Sequence, residues 1–594
     1  MGKIFMLLQK EKIKNINPIY GLMALSVLTI IPFVGLTDFY TKGEPREAIV
    51  AMTMLDSGNW VLPTNGEIDI AYKPPMFHWL IAFFSQLFGG ISEYTSRLPS
   101  ALSFIALIAI TYLHYSRKTI NVAMGTALVL LTFFETHRAA FACRVDMTLT
   151  LFICSSLFFF YRWIVISNMK RMPYLALLCV SLGMLTKGPV AFVLPYSITL
   201  LFAIIIKNNE WKIVIAKLMI SSILSLIIPI FWYYEAWQQG GNQFLKLIYE
   251  ENIGRMTSTM SYQSHPGAWY MNIIYLLGGM MPYTLLIVSI LFAICTKTTQ
   301  KKMIDYFKKT APIMYSDPVE LFNCISLFVI FVFYCIPSSK RSVYLMPMYP
   351  FLAYYTYKMI GYCYCVHTKI YDCWIKFLLS AILIILLIFV IIRLFNVEDI
   401  LSGNELFVYV SALHNSNIRQ WQYVILLLPI CYWAFMKITG YRTVQIGSVQ
   451  LLIIIYLCLD GIIQPIVLNT KSDKTECQNI TRITKGNQIY TYCSANMMRF
   501  FAINYYSHNK LRPILISQEE LKSSYYGQVK RKVENGFVLI PDKDVQDFIE
   551  VSGGKYQLTP IYSSMKKGCD VRDYFTLYKF IRKRNEIGDC HTML

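Results

Sequence analysis

Charged side chains that interrupt apolar sequence mark the places where this chain could do chemistry. A set of them falls beside predicted membrane ends on one side only: Glu44 and Arg46, Lys73, Asp146, Lys187, Arg255, His265, and the pair Lys340 and Arg341. Desolvated charge near a bilayer is costly and tends to be kept for function. Cations there can meet a phosphate, and carboxylates can take the proton of a hydroxyl. Interfacial snorkelling explains any single lysine or arginine as well, but explains the acids badly. Asp146 opens a strongly apolar stretch after Ala142-Cys143-Arg144-Val145, where a simple helix cap is the bland alternative.

The elements that must hold these residues are membrane helices. Of the 594 residues 55% are hydrophobic and 15% charged, and the mean hydropathy is +0.45. Apolar blocks of roughly 17 to 25 residues recur, the length a helix needs to cross hydrocarbon. They lie near residues 19–37, 97–115, 119–134, 147–166, 172–188, 190–206, 213–234, 268–295, 319–336, 343–362, 374–395, 421–438 and 449–468. The reading is a membrane α-helical bundle of about thirteen spans. A transmembrane barrel would instead alternate in segments of about ten residues.

The net charge of +20 does not mark a nucleic-acid partner, because the basic residues form no single patch. They recur at alternate loops, as cytoplasmic retention of Lys and Arg predicts. Lys3, Lys10, Lys12 and Lys14 precede the first span, Arg117 and Lys118 follow the second, and Lys170 and Arg171 follow the fourth. Threading from an inside amino terminus leaves residues 38–96, 135–146, 235–267 and 337–342 outside. The first of these is too long for a connector. Within it, Glu47 to Leu55 and Met76 to Phe88 read as short helices lying at the membrane surface.

Residues 1–468 therefore form the membrane domain. From 469 to 594 charge returns at soluble density and apolar runs shorten to strand length, which predicts a small outer α/β domain. Its strand candidates are Gln488 to Tyr492, Pro513 to Ile516, Phe537 to Ile540 and Tyr574 to Phe580. Ser517 with Glu520 has capping-box spacing, and Asp542 can cap a helix toward Val551. Most of the 15 cysteines are scattered through the spans without zinc spacing. Cys477, Cys493, Cys569 and Cys590 could pair in an oxidising compartment.

Ordered strings on the outer side resemble a known superfamily. Gly43-Glu44-Pro45-Arg46-Glu47-Ala48, Gly58 to Pro63, Tyr72-Lys73-Pro74-Pro75 and His78-Trp79 are similar to the first outer loop of the GT-C fold polyprenyl-phosphate-sugar glycosyltransferases. That superfamily includes the lipid A aminoarabinose transferases and the protein O-mannosyltransferases. The resemblance continues through Arg97 to Ser100, Arg144 to Met147, Leu185 to Pro189, Glu251 to Arg255, His265-Pro266 and Lys340 to Pro347. It implies an inner-membrane enzyme with its active site outside the cytoplasm. Its partners would be a polyprenyl-phosphate-linked sugar donor, such as an undecaprenyl-phosphate sugar, and a lipid A-like or protein acceptor.

Breaking a glycosyl phosphate leaves added negative charge on the phosphate and an oxocarbenium-like sugar. The resemblance assigns Lys73 and Arg46 to the donor phosphate, with Lys187, Arg255, Tyr344 and Lys340 as further candidates. Asp146 and Glu44 are the candidate bases. Many relatives have an Asp-Glu pair in this loop, but Gly43 stands at the position of the Asp, so the base stays open between Glu44 and Asp146. In the aminoarabinose branch a Glu before the Lys-Pro can join a His in binding a divalent metal ion, whereas this chain has Tyr72. His265 and His78 remain metal candidates, with an ordinary interfacial histidine as the simpler reading. A secondary transporter, or a polyprenyl-lipid flippase or polymerase, is the rival class. Charge gathered at one membrane face and the absence of a convincing repeat argue against a transporter.

Overall fold

The structure is a computed structural model and describes residues 17–66, 69–71, 73–254, 257, 266–294, 316–395, 406–439, 447–494, 500–514 and 533–583. Arg255, His265, Tyr72, Cys590 and the Ser517–Glu520 spacing lie outside the described residues. Helices coincide with every apolar block. Among the described residues, seven helices are long and apolar enough to cross a membrane: Glu93–Tyr115, Val145–Val165, Trp211–Gly254, Pro318–Cys335, Thr368–Leu394, Gln420–Thr439 and Gly447–Asn469. Two bent pairs raise the number to nine. The sequence count of about thirteen is larger because it also takes in shorter apolar helices such as Tyr174–Lys187 and Val190–Ile206.

The bends matter for the site. Ile120–Thr132 and Phe134–Ala140 meet at 68°, because Phe133 adopts extended backbone (φ −69°, ψ 133°). Sequence reading runs one span through residue 134 and treats 135–146 as a loop. The break instead aims a short helix carrying Glu135, His137 and Arg138 along a cavity. Interrupted helices of this kind persist at membrane depth where they border protein or a cavity.

In the first loop, Gly43–Ser57 and Met76–Leu87 are helical. The first is not the half-exposed surface helix expected, for it is buried from Gly43 to Met54 except at Arg46. Phe77 and Ile81 of the second loop helix pack on one side, and Phe501 and Tyr505 from beyond the last span pack on another. Gly58 ends the helix in the left-handed region (φ 69°), which lets its N–H return to Met54 O.

Beyond the last span lies a five-stranded mixed sheet. Its spatial order is Leu511–Pro513, Ile489–Thr491, Asn535–Pro541, Phe575–Arg582 and Tyr556–Ser563. The first three strands are parallel and the last two pair antiparallel. Asp542 does not cap the Val545–Val551 helix; its Oδ1 accepts from Thr576 Oγ1 at 2.9 Å. Among the described residues, Cys477 and Cys569 form no disulfide.

This region grips the first loop. Tyr506 Oη accepts from Phe39 N (2.8 Å) and donates to Glu93 Oε1 (3.0 Å), while Lys474 Nζ reaches Asp38 Oδ1 (2.8 Å) and Glu93 Oε1 (3.3 Å). Asn469 Oδ1 accepts from Asp38 N at 2.8 Å. Tyr506→Phe is expected to leave the Phe39 N–H without its acceptor, a loss of about 1–3 kcal/mol. Faster protease cleavage of the first loop would register it, and an unchanged cleavage rate would count against the clamp.

Candidate active site

Glu44 begins the loop helix and is tied on both oxygens. Arg97, wholly buried in the first turns of Glu93–Tyr115, donates from Nε to Glu44 Oε1 (2.8 Å) and from Nη2 to Oε2 (3.3 Å). Cys143 N donates to Oε1 at 3.0 Å. The same guanidinium reaches Val34 O, Thr37 O and Asp38 O. Glu44 therefore joins the loop to the bundle. Sequence reading quoted Arg97 only as part of a string, although an arginine inside an apolar helix was itself the signal.

Arg97→Met is expected to strand a buried carboxylate, which costs about 3–5 kcal/mol. Arg97→Lys should recover little, since a single ammonium cannot span Glu44 and three carbonyls. Thermal melting in detergent tests this; a melting point for Arg97→Met equal to that of the parent would refute it.

One turn further on, Glu47 gathers the cations. Lys73 Nζ (3.0 Å) and Arg46 Nη2 (3.1 Å) share its Oε1, and His78 Nε2 lies 2.9 Å from Oε2. Burial pushes the Glu47 carboxyl up, but Lys73, the His78 hydrogen bond and Arg46 together hold it well below the usual carboxylate range. It is thus an ionised anchor that orients Lys73 and Arg46. Glu47 escaped selection as a site residue because two of its three partners, Lys73 and His78, lie 26 and 31 residues further along the chain.

Asp146 sits at the second position of Val145–Val165 with Arg144 before it as the cap residue. It caps nothing with its side chain; Lys187 Nζ lies 2.5 Å from its Oδ1. Lys73 also acts electrostatically on Asp146, and Lys187 on Lys73, so the three share one neighbourhood. Lys187 ends the helix Tyr174–Lys187, held there by Gly188 in a positive-φ conformation (φ 84°), and its amine lies 4.4 Å from the Tyr344 ring centroid. Tyr344 in turn stacks on Tyr334.

Four predicted phosphate contacts, Lys73, Arg46, Lys187 and Tyr344, thus converge around Asp146. Lys340 does not join them in the same way. It lines the cavity, but its amine donates to Tyr334 O (3.0 Å), Cys335 O (2.8 Å) and Pro337 O (2.5 Å), closing the carboxyl end of Pro318–Cys335.

The cavity beside Asp146 has a volume of about 560 Å³. Tyr40, Glu44, Arg138, Arg144, Asp146 and Arg341 line it, together with His137 and Asp460. His137 Nε2 meets Asp460 Oδ2 at 2.6 Å and its ring stacks on Tyr456. Asp460 lies in a π-helical turn of the last span, Leu459–Ile463, and neither residue was singled out from sequence.

Two places bring metal-ligating side chains together. At Glu47 and His78 the Lys73 ammonium already fills the cation's position, and no third ligand is described there. Asp473, Cys569 and Asp570 approach within 4.8 Å of one another. Both Asp473 oxygens accept from Cys569 N and Asp570 Oδ2 accepts from Ala502 N, while burial pushes the Asp570 carboxyl up to about 7 and the Cys569 thiol far up. Three of these carboxylate oxygens are thus already engaged by backbone N–H groups, which tie the cluster into the fold.

Residues 72–233 match the family model of the dolichyl-phosphate-mannose-protein mannosyltransferases. The undecaprenyl phosphate-alpha-4-amino-4-deoxy-L-arabinose arabinosyl transferase of Shewanella sediminis is 26% identical over 352 residues, 57% of this chain and 58% of that one. The protein of the same name from Pseudomonas savastanoi is 25% identical over 261 residues, 42% of this chain and 47% of that one. The chain thus spans about half the length of these relatives. The crystal structure of ArnT from Cupriavidus metallidurans bound to undecaprenyl phosphate superposes with a TM-score of 0.67, over 94% of this chain and 97% of that one at 17% identity. A TM-score of 0.67 across nearly the whole of both chains shows that this chain shares the fold of that structure. In this chain that fold is a membrane helical bundle with two helices in its first loop.

Proposed function

We propose that this chain is an integral membrane glycosyltransferase of the inner membrane. It moves a sugar from a polyprenyl-phosphate donor, of the undecaprenyl-phosphate class, to a lipid A-like or protein acceptor on the extracytoplasmic face. The observation that carries the reading is Asp146, paired with Lys187 and neighboured by Lys73, at the wall of a cavity of about 560 Å³. Residues 469–594 act as an outer domain that holds the first loop.

In this reading the acceptor oxygen attacks the anomeric carbon as Asp146 removes its proton, and the bond from that carbon to the phosphate oxygen breaks with inversion. The electron pair of the broken bond stays on the carrier phosphate. Lys73, Arg46 and Lys187 meet that added charge, which is greater after cleavage than before and so favours the transition state. Glu47 keeps Lys73 and Arg46 aimed. Glu44 serves chiefly to fix the loop, since both its oxygens are already engaged.

The test is to give purified protein candidate polyprenyl-phosphate sugars with extracted lipids and envelope proteins. Mass spectrometry should then show a gain of one sugar residue in an acceptor. No mass gain with any donor, or a product whose anomeric proton signals retention in NMR, would overturn the reading.

A further inference from the structure

Gly43 opens the first loop helix without a side chain, and another residue fills the volume beside it. A methyl added at residue 43 would overlap the guanidinium of Arg144. That guanidinium lines the cavity beside Asp146. Among the described residues it makes no hydrogen bond and no ion pair, and only its main chain is engaged, through Ala142 O and Ser100 Oγ.

Two other cavity cations are already held. Arg138 is bonded to Glu135 (2.7 Å) and Lys340 to three carbonyls. A guanidinium carries five donors, and on this half-buried arginine none is taken by another described residue. Gly43 brings no side chain to meet that guanidinium, and Glu47 and Asp146 act on it without a direct ion pair.

The geometry points to Gly43 and Arg144 as an anion seat on the acceptor side of Asp146, selecting an acceptor that carries an oxyanion, phosphate or carboxylate. The acceptor side follows from the lining: Arg144 and Asp146 face the cavity, whereas Lys73 and Arg46 are not among its walls. An anion held on Arg144 would bring the attacking oxygen of its own molecule next to Asp146. Arginine's planar fork suits either group, with phosphate offering the more bidentate pairings. The assignment of sides rests on the proposed glycosyl transfer.

Three single-chain lipids with the same tail separate the possibilities: lysophosphatidic acid, palmitate and the neutral monopalmitoylglycerol. Their binding would be measured to the full chain in phosphatidylcholine nanodiscs, alongside undecaprenyl phosphate. Wild type should hold at least one anionic probe roughly tenfold or more tighter than the neutral one, and the tighter of the two identifies phosphate or carboxylate.

Arg144→Gln should abolish that preference, and Arg144→Lys should keep part of it. Gly43→Asp, which hands Arg144 an internal carboxylate, should abolish it in a folded protein. Undecaprenyl phosphate affinity should stay the same throughout. Equal binding of all three probes by wild type, or a preference that survives in Arg144→Gln, overturns the seat. So does an equal loss of undecaprenyl phosphate binding, which would put Arg144 in the donor cluster. Failure of wild type to bind undecaprenyl phosphate would instead sink the glycosyl-transfer reading while the anionic-probe comparison still judges the seat.

Discussion

Asp146→Asn is expected to lower sugar transfer at least a hundredfold while leaving undecaprenyl phosphate binding unchanged or tighter. The size follows from what a positioned general base supplies, roughly 10²–10⁴ in rate. Asparagine keeps the shape and an oxygen for Lys187, so the fold has little reason to change. It cannot take up the acceptor's proton. Removing the carboxylate also releases Lys187 from its ion pair and leaves more positive charge for a carrier phosphate. Weaker carrier binding in this variant, or activity near that of the parent, would show that Asp146 only anchors Lys187.

Lys73→Ala should fail differently, with binding and transfer falling together. The ammonium lies 3.0 Å from Glu47 and acts on Asp146, so it stands where donor phosphate and attacking acceptor must meet. A charge-assisted hydrogen bond of about 1.5–3 kcal/mol corresponds to a tenfold to hundredfold weaker carrier affinity. Transfer should fall further, because the phosphate charge grows as the bond breaks. Glu47 keeps Arg46 and His78, so the loop should stay folded. Lys73→Arg should recover part of the binding. Lowered transfer with carrier affinity intact would place Lys73 outside the phosphate site.

The helices were legible because hydrophobic length is a local property of the chain. Their breaks were not. Nothing in the type of residue 133 forces extended backbone; Phe133 is wholly buried, packed against Tyr283 and Tyr349 from distant segments. The edge strand Tyr556–Ser563 was missed since most of it is exposed and Pro560 interrupts its pattern. The other four strands of the sheet were marked by Ile, Val, Tyr and Phe runs, though Leu511–Pro513 shares only its last residue with the predicted Pro513 to Ile516.

For the site, the resemblance picked out Lys73, Arg46, Asp146, Lys187 and Tyr344, which the fold brings together. It did not reveal the partners that hold them. Arg97 and Glu44 are 53 residues apart, and His137 and Asp460 are 323 apart. Pairings at such separations leave no local pattern. The free guanidinium of Arg144 was equally invisible, since it depends on which side chain occupies the space above Gly43.

Carrier release in proteoliposomes tests the central claim most directly. Protein supplied with a polyprenyl-phosphate sugar and the acceptor found by mass spectrometry should produce one free polyprenyl phosphate for each glycosylated acceptor, and Asp146→Asn should produce neither. Donor that crosses the bilayer with its glycosyl phosphate bond intact, and no free carrier phosphate, would contradict glycosyl transfer and favour a flippase.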